Sequence, residues 1–177
     1  MLGISAVLVC SGEPGKGVSV ERRQEIPAEG YHMQETGGVV NLYASDEAGV
    51  LYGIVHILRL IAMEEALAGI DVACRPDNPL RMYDHWDNLD GSIERGYSGN
   101  SFFFQDNKIL VNERTRDYCR LAASVGINGV VINNVNVKEA ATWLITERYL
   151  GQLGKMAELF AGYGIRLFLS LNFAAPI

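Results

Sequence analysis

The sequence predicts an α/β protein in which strands and helices alternate through the C-terminal half, preceded across a proline-containing linker by a smaller strand–helix segment. Three observations carry this. Ile127–Ile132 and Ile165–Leu171 are apolar and β-branched on both faces, the pattern of strands buried in a parallel sheet. Stripes of apolar residues at helical spacing lie before and between them. The unit also repeats weakly: Gly126-Ile127 leads to Asn134 and Gly164-Ile165 to Asn172, each asparagine eight positions past its glycine. Such alternation means right-handed βαβ crossovers and a parallel sheet. It leaves a doubly wound sheet and a (β/α)8 barrel both open, although no G-x-G-x-x-G follows a strand, which lowers the dinucleotide-binding option.

The elements follow in order. Ile4–Cys10 reads as a buried strand; the first residues lack the basic region and small-residue cleavage pattern of an export signal. Gly12–Gly17 is a loop that misses the phosphate-loop spacing. Tyr31–Glu35 and Val39–Tyr43 are short strands joined at Gly37-Gly38. Asp46 is placed to cap a helix whose Leu51, Ile54, Val55, Leu58, Ile61 and Ala62 form one stripe, running to about Leu67 and stopping at Gly69. Gly49 and Gly53 share a face of that helix, where a neighbour can approach closely, and His56 sits at the edge of the core. Cys74–Pro79 holds two prolines and reads as a linker. It divides an accessory segment, 1–75, from a second segment, 76–177.

Leu80–Asp84 is a short strand, and a polar, glycine-rich loop covers His85 to about Val111. Asn112 caps a helix with Tyr118, Leu121, Ala122 and Val125 as its stripe, closed by Gly126. A further helix, about Thr146–Ala161, has the stripe Tyr149, Leu153, Met156, Ala157 and Phe160.

Composition limits the function. The 177 residues are 49% hydrophobic and 20% charged, a globular balance for one domain or pieces of two. A net charge of −6 with scattered basic residues argues against a nucleic-acid partner. No apolar run approaches the roughly 18 residues of a membrane span. The three cysteines, Cys10, Cys74 and Cys119, are far apart and odd in number, so neither a disulfide framework nor a zinc site is expected.

Polar residues crowd the C-terminal ends of the strands. Trp86, Asp87, Asn88, Asp90, Glu94 and Arg95 follow the first; Asn133, Asn134 and Asn136 follow the second; Asn172 follows the third. In parallel α/β folds ligands bind at that edge. An indole among carboxylates and amides suits a sugar, with the ring face stacking and the polar groups meeting hydroxyls. The plainer alternative is that the short polar side chains bond loop amides and that Trp86 covers the core.

At these residues a family resemblance appears. The block His85–Tyr97 resembles the first strand-loop of the α-glucuronidases of glycoside hydrolase family 67. Ala123–Val137 and Leu169–Ile177 are similar to the family's second and third strands, and Gly49–Gly53 with Leu58–Leu60 to the end of the domain before its barrel. The resemblance implies an incomplete TIM (β/α)8 barrel of about three strands, preceded by the end of a smaller α/β domain. It implies an enzyme that removes glucuronic acid or its 4-O-methyl ether from glucuronoxylan oligosaccharides, with inversion and without cofactor or metal. An inverting site needs an acid and a base roughly 6.5–9.5 Å apart. In the family both come from later strands, so none of these residues is assigned as catalytic, and Asp87, Asp90 and Glu94 resemble sugar-contacting residues. A segment of a larger, homodimeric enzyme is the expectation, with a non-catalytic carbohydrate-binding module as the alternative. The compartment is left open, since family members are cytoplasmic or secreted.

Overall fold

A computed structural model describes residues 17–133 and 143–170, so the expected strand Ile4–Cys10 lies outside the described residues. The chain divides into two compact units, Met1–Pro79 and Leu80–Ile177, four residues beyond the 75/76 boundary read from the sequence.

The first unit is a mixed sheet with one helix. Strands β1 (Gly17–Arg22), β2 (Tyr31–Thr36), β3 (Val39–Ala44) and β4 (Asp71–Cys74) run in the order β1-β3-β2-β4, and helix α1 is Glu47–Ala62. β1 lies parallel to β3, whereas β2 is antiparallel to both β3 and β4. Gly37 and Gly38 make the expected two-residue turn, both at positive φ (61° and 88°), as the twist of a tight hairpin demands. Alternate residues of β2 and β3, namely Tyr31, Met33, Val40, Leu42 and Ala44, point into a core completed by Val50 and Ile57 of α1.

Asp46 caps α1 as expected: its Oδ1 accepts from the Gly49 amide at 2.8 Å, and its Oδ2 from the Glu29 amide at 2.7 Å. The buried face of α1 differs from the expected stripe. Gly49, Val50, Gly53 and Ile57 face the core, while Leu58 and Ile61 are exposed. The glycines decide this, because Gly49 abuts the Gly30 carbonyl and Gly53 abuts Leu42, closer than any larger side chain would allow. The helix also ends before Leu67. Glu64 takes a left-handed conformation (φ 58°), with Glu64 N–H to Ile61 C=O at 3.1 Å and Glu65 N–H to Leu60 C=O at 2.9 Å. This is a Schellman stop made without its usual glycine, so Gly69 was the wrong marker. β1 and β4 were not expected: both are mostly exposed, β1 alternates only over Val18-Ser19-Val20-Glu21, and β4 is four residues long.

In the second unit β5 (Met82–Asp84), β8 (Gly129–Val131) and β9 (Arg166–Phe168) form a parallel sheet in the order β5-β8-β9. Helix α2 (Glu113–Ser124) connects β5 to β8, and α3 (Glu147–Ala161) connects β8 to β9. The strand–helix alternation is therefore present, with each strand shorter than its apolar run. Inside the expected long loop, β6 (Phe104–Gln105) and β7 (Lys108–Ile109) form a small hairpin turned by Asp106 and Asn107, both at positive φ. Asn112 and Thr115 make a capping box on α2. The buried face of α2 is Thr115, Cys119, Ala122 and Ala123; of the expected stripe, Leu121 and Val125 are 65% and 55% exposed. On α3 the expected Tyr149, Leu153, Met156 and Phe160 are buried. Gly126 and Gly164 follow α2 and α3 at positive φ, as helix-ending glycines do.

Candidate functional site

The parallel register places Asp84, Val131 and Phe168 side by side, so the chain leaves all three strands at one edge. The His85 amide donates to the Val131 carbonyl at 2.9 Å, extending the pairing one residue before the loop begins.

Buried amides hold that loop in shape. Asn88 is buried, and its Nδ2 donates to the Ser92 carbonyl (3.1 Å), the Ser92 hydroxyl (3.1 Å) and the Glu94 carbonyl (2.7 Å). The Glu94 amide returns a bond to the Trp86 carbonyl at 2.7 Å, and Asp87 bridges Ile93 across the loop. Glu94 itself is left-handed (φ 53°), and its carboxylate accepts from the Ser98 hydroxyl at 2.9 Å. The Tyr97 and Ser98 hydroxyls hold the Glu94 carboxyl below its ordinary value. Asp90, exposed at the turn, accepts from the Ser92 amide at 2.9 Å and from its hydroxyl. Gly91 is required where it stands: at φ 94° an added side chain would also press on the Phe104 carbonyl.

Across the edge, Asn133 is buried, and its amide mimics a strand residue. Nδ2 donates to the Ser170 carbonyl at 2.7 Å and Oδ1 accepts from the Ser170 amide at 3.0 Å, tying the end of β8 to the end of β9. Asn88 and Asn133 thus position the framework with the groups that a sugar would otherwise meet. Trp86 is different: its indole is 42% exposed, with Nε1 donating to Asp84 Oδ2 at 3.4 Å. Arg95 is exposed on the same loop. Asn134, Asn136 and Asn172 lie outside the described residues.

Asp87 is the buried carboxylate of the loop, 4% exposed. Burial pushes its carboxyl above the usual carboxylate range, against the pull of the Ser101 hydroxyl and the His85 ring. The Ser101 oxygen already accepts from the Phe103 and Phe104 amides, each at 3.0 Å, which leaves its proton for Asp87. His85 Nδ1 is 4.0 Å from Asp87 Oδ1, and His85 Nε2 is 2.7 Å from the Tyr118 hydroxyl. Burial lowers His85 below its ordinary value, against Asp87 and Asp84, so the ring is neutral at neutral pH. Sequence reasoning gave His85, Ser101 and Tyr118 no individual role. The signal for His85 was its place directly after a strand, whereas Tyr118 was absorbed into an apolar stripe.

Among the described residues no group of three His, Cys, Asp or Glu side chains could hold a metal ion. The edge offers an exposed ring beside exposed and buried carboxylates on a loop fixed by its own hydrogen bonds, an arrangement suited to a polyhydroxylated ligand.

Comparison with known proteins bears on this geometry. Over most of its length the chain is 38% identical to the probable alpha-glucuronidase A of Aspergillus oryzae, covering 97% of this chain and 20% of that protein. It is 38% identical to the alpha-glucuronidase A of Aspergillus tubingensis, covering 86% of this chain and 18% of that one. The chain thus spans about a fifth of the length of these relatives. Among solved structures, a beta-N-acetylhexosaminidase from Bacteroides fragilis superposes with a TM-score of 0.61 at 16% identity, over 93% of this chain and 35% of that one, a likeness of fold alone. Residues 60–177 match the glycosyl hydrolase family 67 middle domain, and the chain belongs to that family.

Proposed function

We propose that this chain is the front part of an α-glucuronidase that removes glucuronic acid, or its 4-O-methyl ether, from glucuronoxylan oligosaccharides with inversion. In this reading Leu80–Ile177 supplies the first three strands of a (β/α)8 barrel and the residues before it the end of an accessory domain. The observation that carries the reading is the loop after β5. A parallel-sheet edge presents Trp86 on a scaffold fixed by Asn88, in a chain that aligns with α-glucuronidases over nearly all its residues. Trp86 stacks on the sugar ring, and Asp87, Asp90, Glu94 and Arg95, with Asn134, Asn136 and Asn172, meet its hydroxyls and carboxylate. Asn88 and Asn133 belong to the same site and act by holding the backbone around it. The general acid and base come from strands beyond the third, as the family resemblance implies.

The test is hydrolysis of a 4-O-methylglucuronosyl-xylooligosaccharide by the full-length protein that carries this chain, with the product anomer followed by NMR. Inversion releases the β anomer first, while the 177-residue chain alone releases none. Hydrolysis by the isolated chain would place the acid and base within it and overturn the assignment. Saturable binding by the full-length protein without hydrolysis would favour a carbohydrate-binding module.

A further inference from the structure

Behind Asp87 the second unit holds a polar chain that the site as described does not use. Asp87 is buried, and the Ser101 hydroxyl and the His85 ring are what hold its charge against that burial. A buried carboxylate is costly unless neighbouring groups hold its charge. The His85 ring stands next to it, Nδ1 4.0 Å from Oδ1, and is itself clamped. Phe103 meets it edge-to-face at 5.1 Å, Tyr118 at 5.3 Å and Phe102 at 6.4 Å, and the Tyr118 hydroxyl is 2.7 Å from Nε2. These aromatic walls leave the imidazole little freedom to flip, so its two nitrogens keep distinct neighbours.

Resting on the activity proposed above, we propose that Tyr118 and His85 are positioning residues for the sugar-contacting carboxylate Asp87. Tyr118 donates its proton to His85 Nε2, which puts the ring proton on Nδ1, and the Nδ1–H faces Asp87. A carboxylate beside Nδ1 favours that same tautomer, so the two ends of the relay agree. The N–H dipole then favours the ionised carboxylate at a site that burial would otherwise drive toward the protonated, hydroxyl-donating form. An ionised Asp87 accepts a hydrogen bond from a sugar hydroxyl; a protonated one donates instead.

Among the described residues the groups facing the relay are few. Asp84 and Tyr83 approach from β5, Ser101 from the loop, and Tyr118 with Cys119 from α2; Arg114 lies over the outer ring, Phe102. Burial opposes ionisation of Asp87, and Ser101 and His85 favour it.

The experiment is the pH dependence of kcat and KM for the full-length protein on the glucuronosyl oligosaccharide, in wild type and in Tyr118→Phe, His85→Asn and His85→Gln. Asparagine places its amide N–H where Nδ1 stood; glutamine places it at Nε2, so it keeps the partner Tyr118 and loses the one facing Asp87. For Tyr118→Phe and His85→Gln, KM rises about fivefold with kcat within about twofold, the size of one lost hydrogen bond. Their acid limb of kcat/KM moves to higher pH, while His85→Asn keeps the wild-type limb. A purely structural role lowers the three variants together without moving the limb, and that result, or a limb unmoved in Tyr118→Phe and His85→Gln, overturns the relay. An inactive wild type overturns the glucuronidase reading first, and the relay with it.

Discussion

Trp86 and Asn133 stand at the same sheet edge with opposite commitments. Asn133 spends both ends of its amide on Ser170, so its type is set by the backbone it completes. Trp86 keeps almost half of its surface in solvent although a large ring gains most by being buried, and its indole N–H meets the Asp84 carboxylate. On the reading proposed above, a ring left out on a braced loop stacks on the sugar. Trp86→Ala in the full-length protein is expected to weaken oligosaccharide binding by roughly 1–3 kcal/mol, the range found when bases stack on aromatic side chains. Isothermal titration with the oligosaccharide measures it. Unchanged affinity, with a fall in thermal stability, would make Trp86 a cover for the core.

Among the elements, glycines of the same helical type play opposite parts. Gly49 in α1 lies so near the Gly30 carbonyl and the Ala44 methyl that a side chain has nowhere to go, and backbone is what it would displace. Gly151 in α3 has nothing within 4 Å of its missing side chain. Gly49→Ala is therefore expected to destabilise by roughly 1–3 kcal/mol through overpacking. Gly151→Ala gains about 1 kcal/mol of helix propensity. Urea midpoints of the two variants, moving in opposite directions, check the pair; a stabilised Gly49→Ala would mean that the contact relaxes cheaply. The same contrast explains what the sequence could reveal. Caps were legible because Asp46 and Asn112 act through local bonds, and the α3 stripe because one face packs on one core. The buried face of α1 was not, since it is marked by absent side chains while the largest apolar residues point outward. Nor was the Glu64 stop, where a non-glycine residue took the left-handed position. At the site, the strand-end location and the polar loop were readable from spacing. The division between amides that brace and rings that offer a surface needed the third dimension.

Among the described residues the two larger sheets present their edges differently. β1, the outer strand there, carries Ser19, Glu21 and Arg22, and charge of this kind blunts pairing between molecules. In the sheet β5-β8-β9 the outer strands among the described residues are Met82–Asp84 and Arg166–Phe168, short but mostly apolar, and Tyr83 is 42% exposed. Leu121 and Val125 on α2 and Leu150 on α3 add exposed apolar surface to the same unit. If later strands of a larger enzyme cover these edges, the 177-residue chain alone carries them uncovered, and its net charge of −6 is the main force keeping copies apart. The chain by itself is therefore expected to self-associate, more so as salt screens that charge, while the full-length protein at equal concentration stays disperse. Light scattering across a salt series measures this, and Tyr83→Lys, placing a charge on the β5 edge, should reduce the association without loss of helical circular dichroism. A chain that remains monomeric at high salt would mean that these strands are complete as they stand, and the barrel reading would lose its physical support.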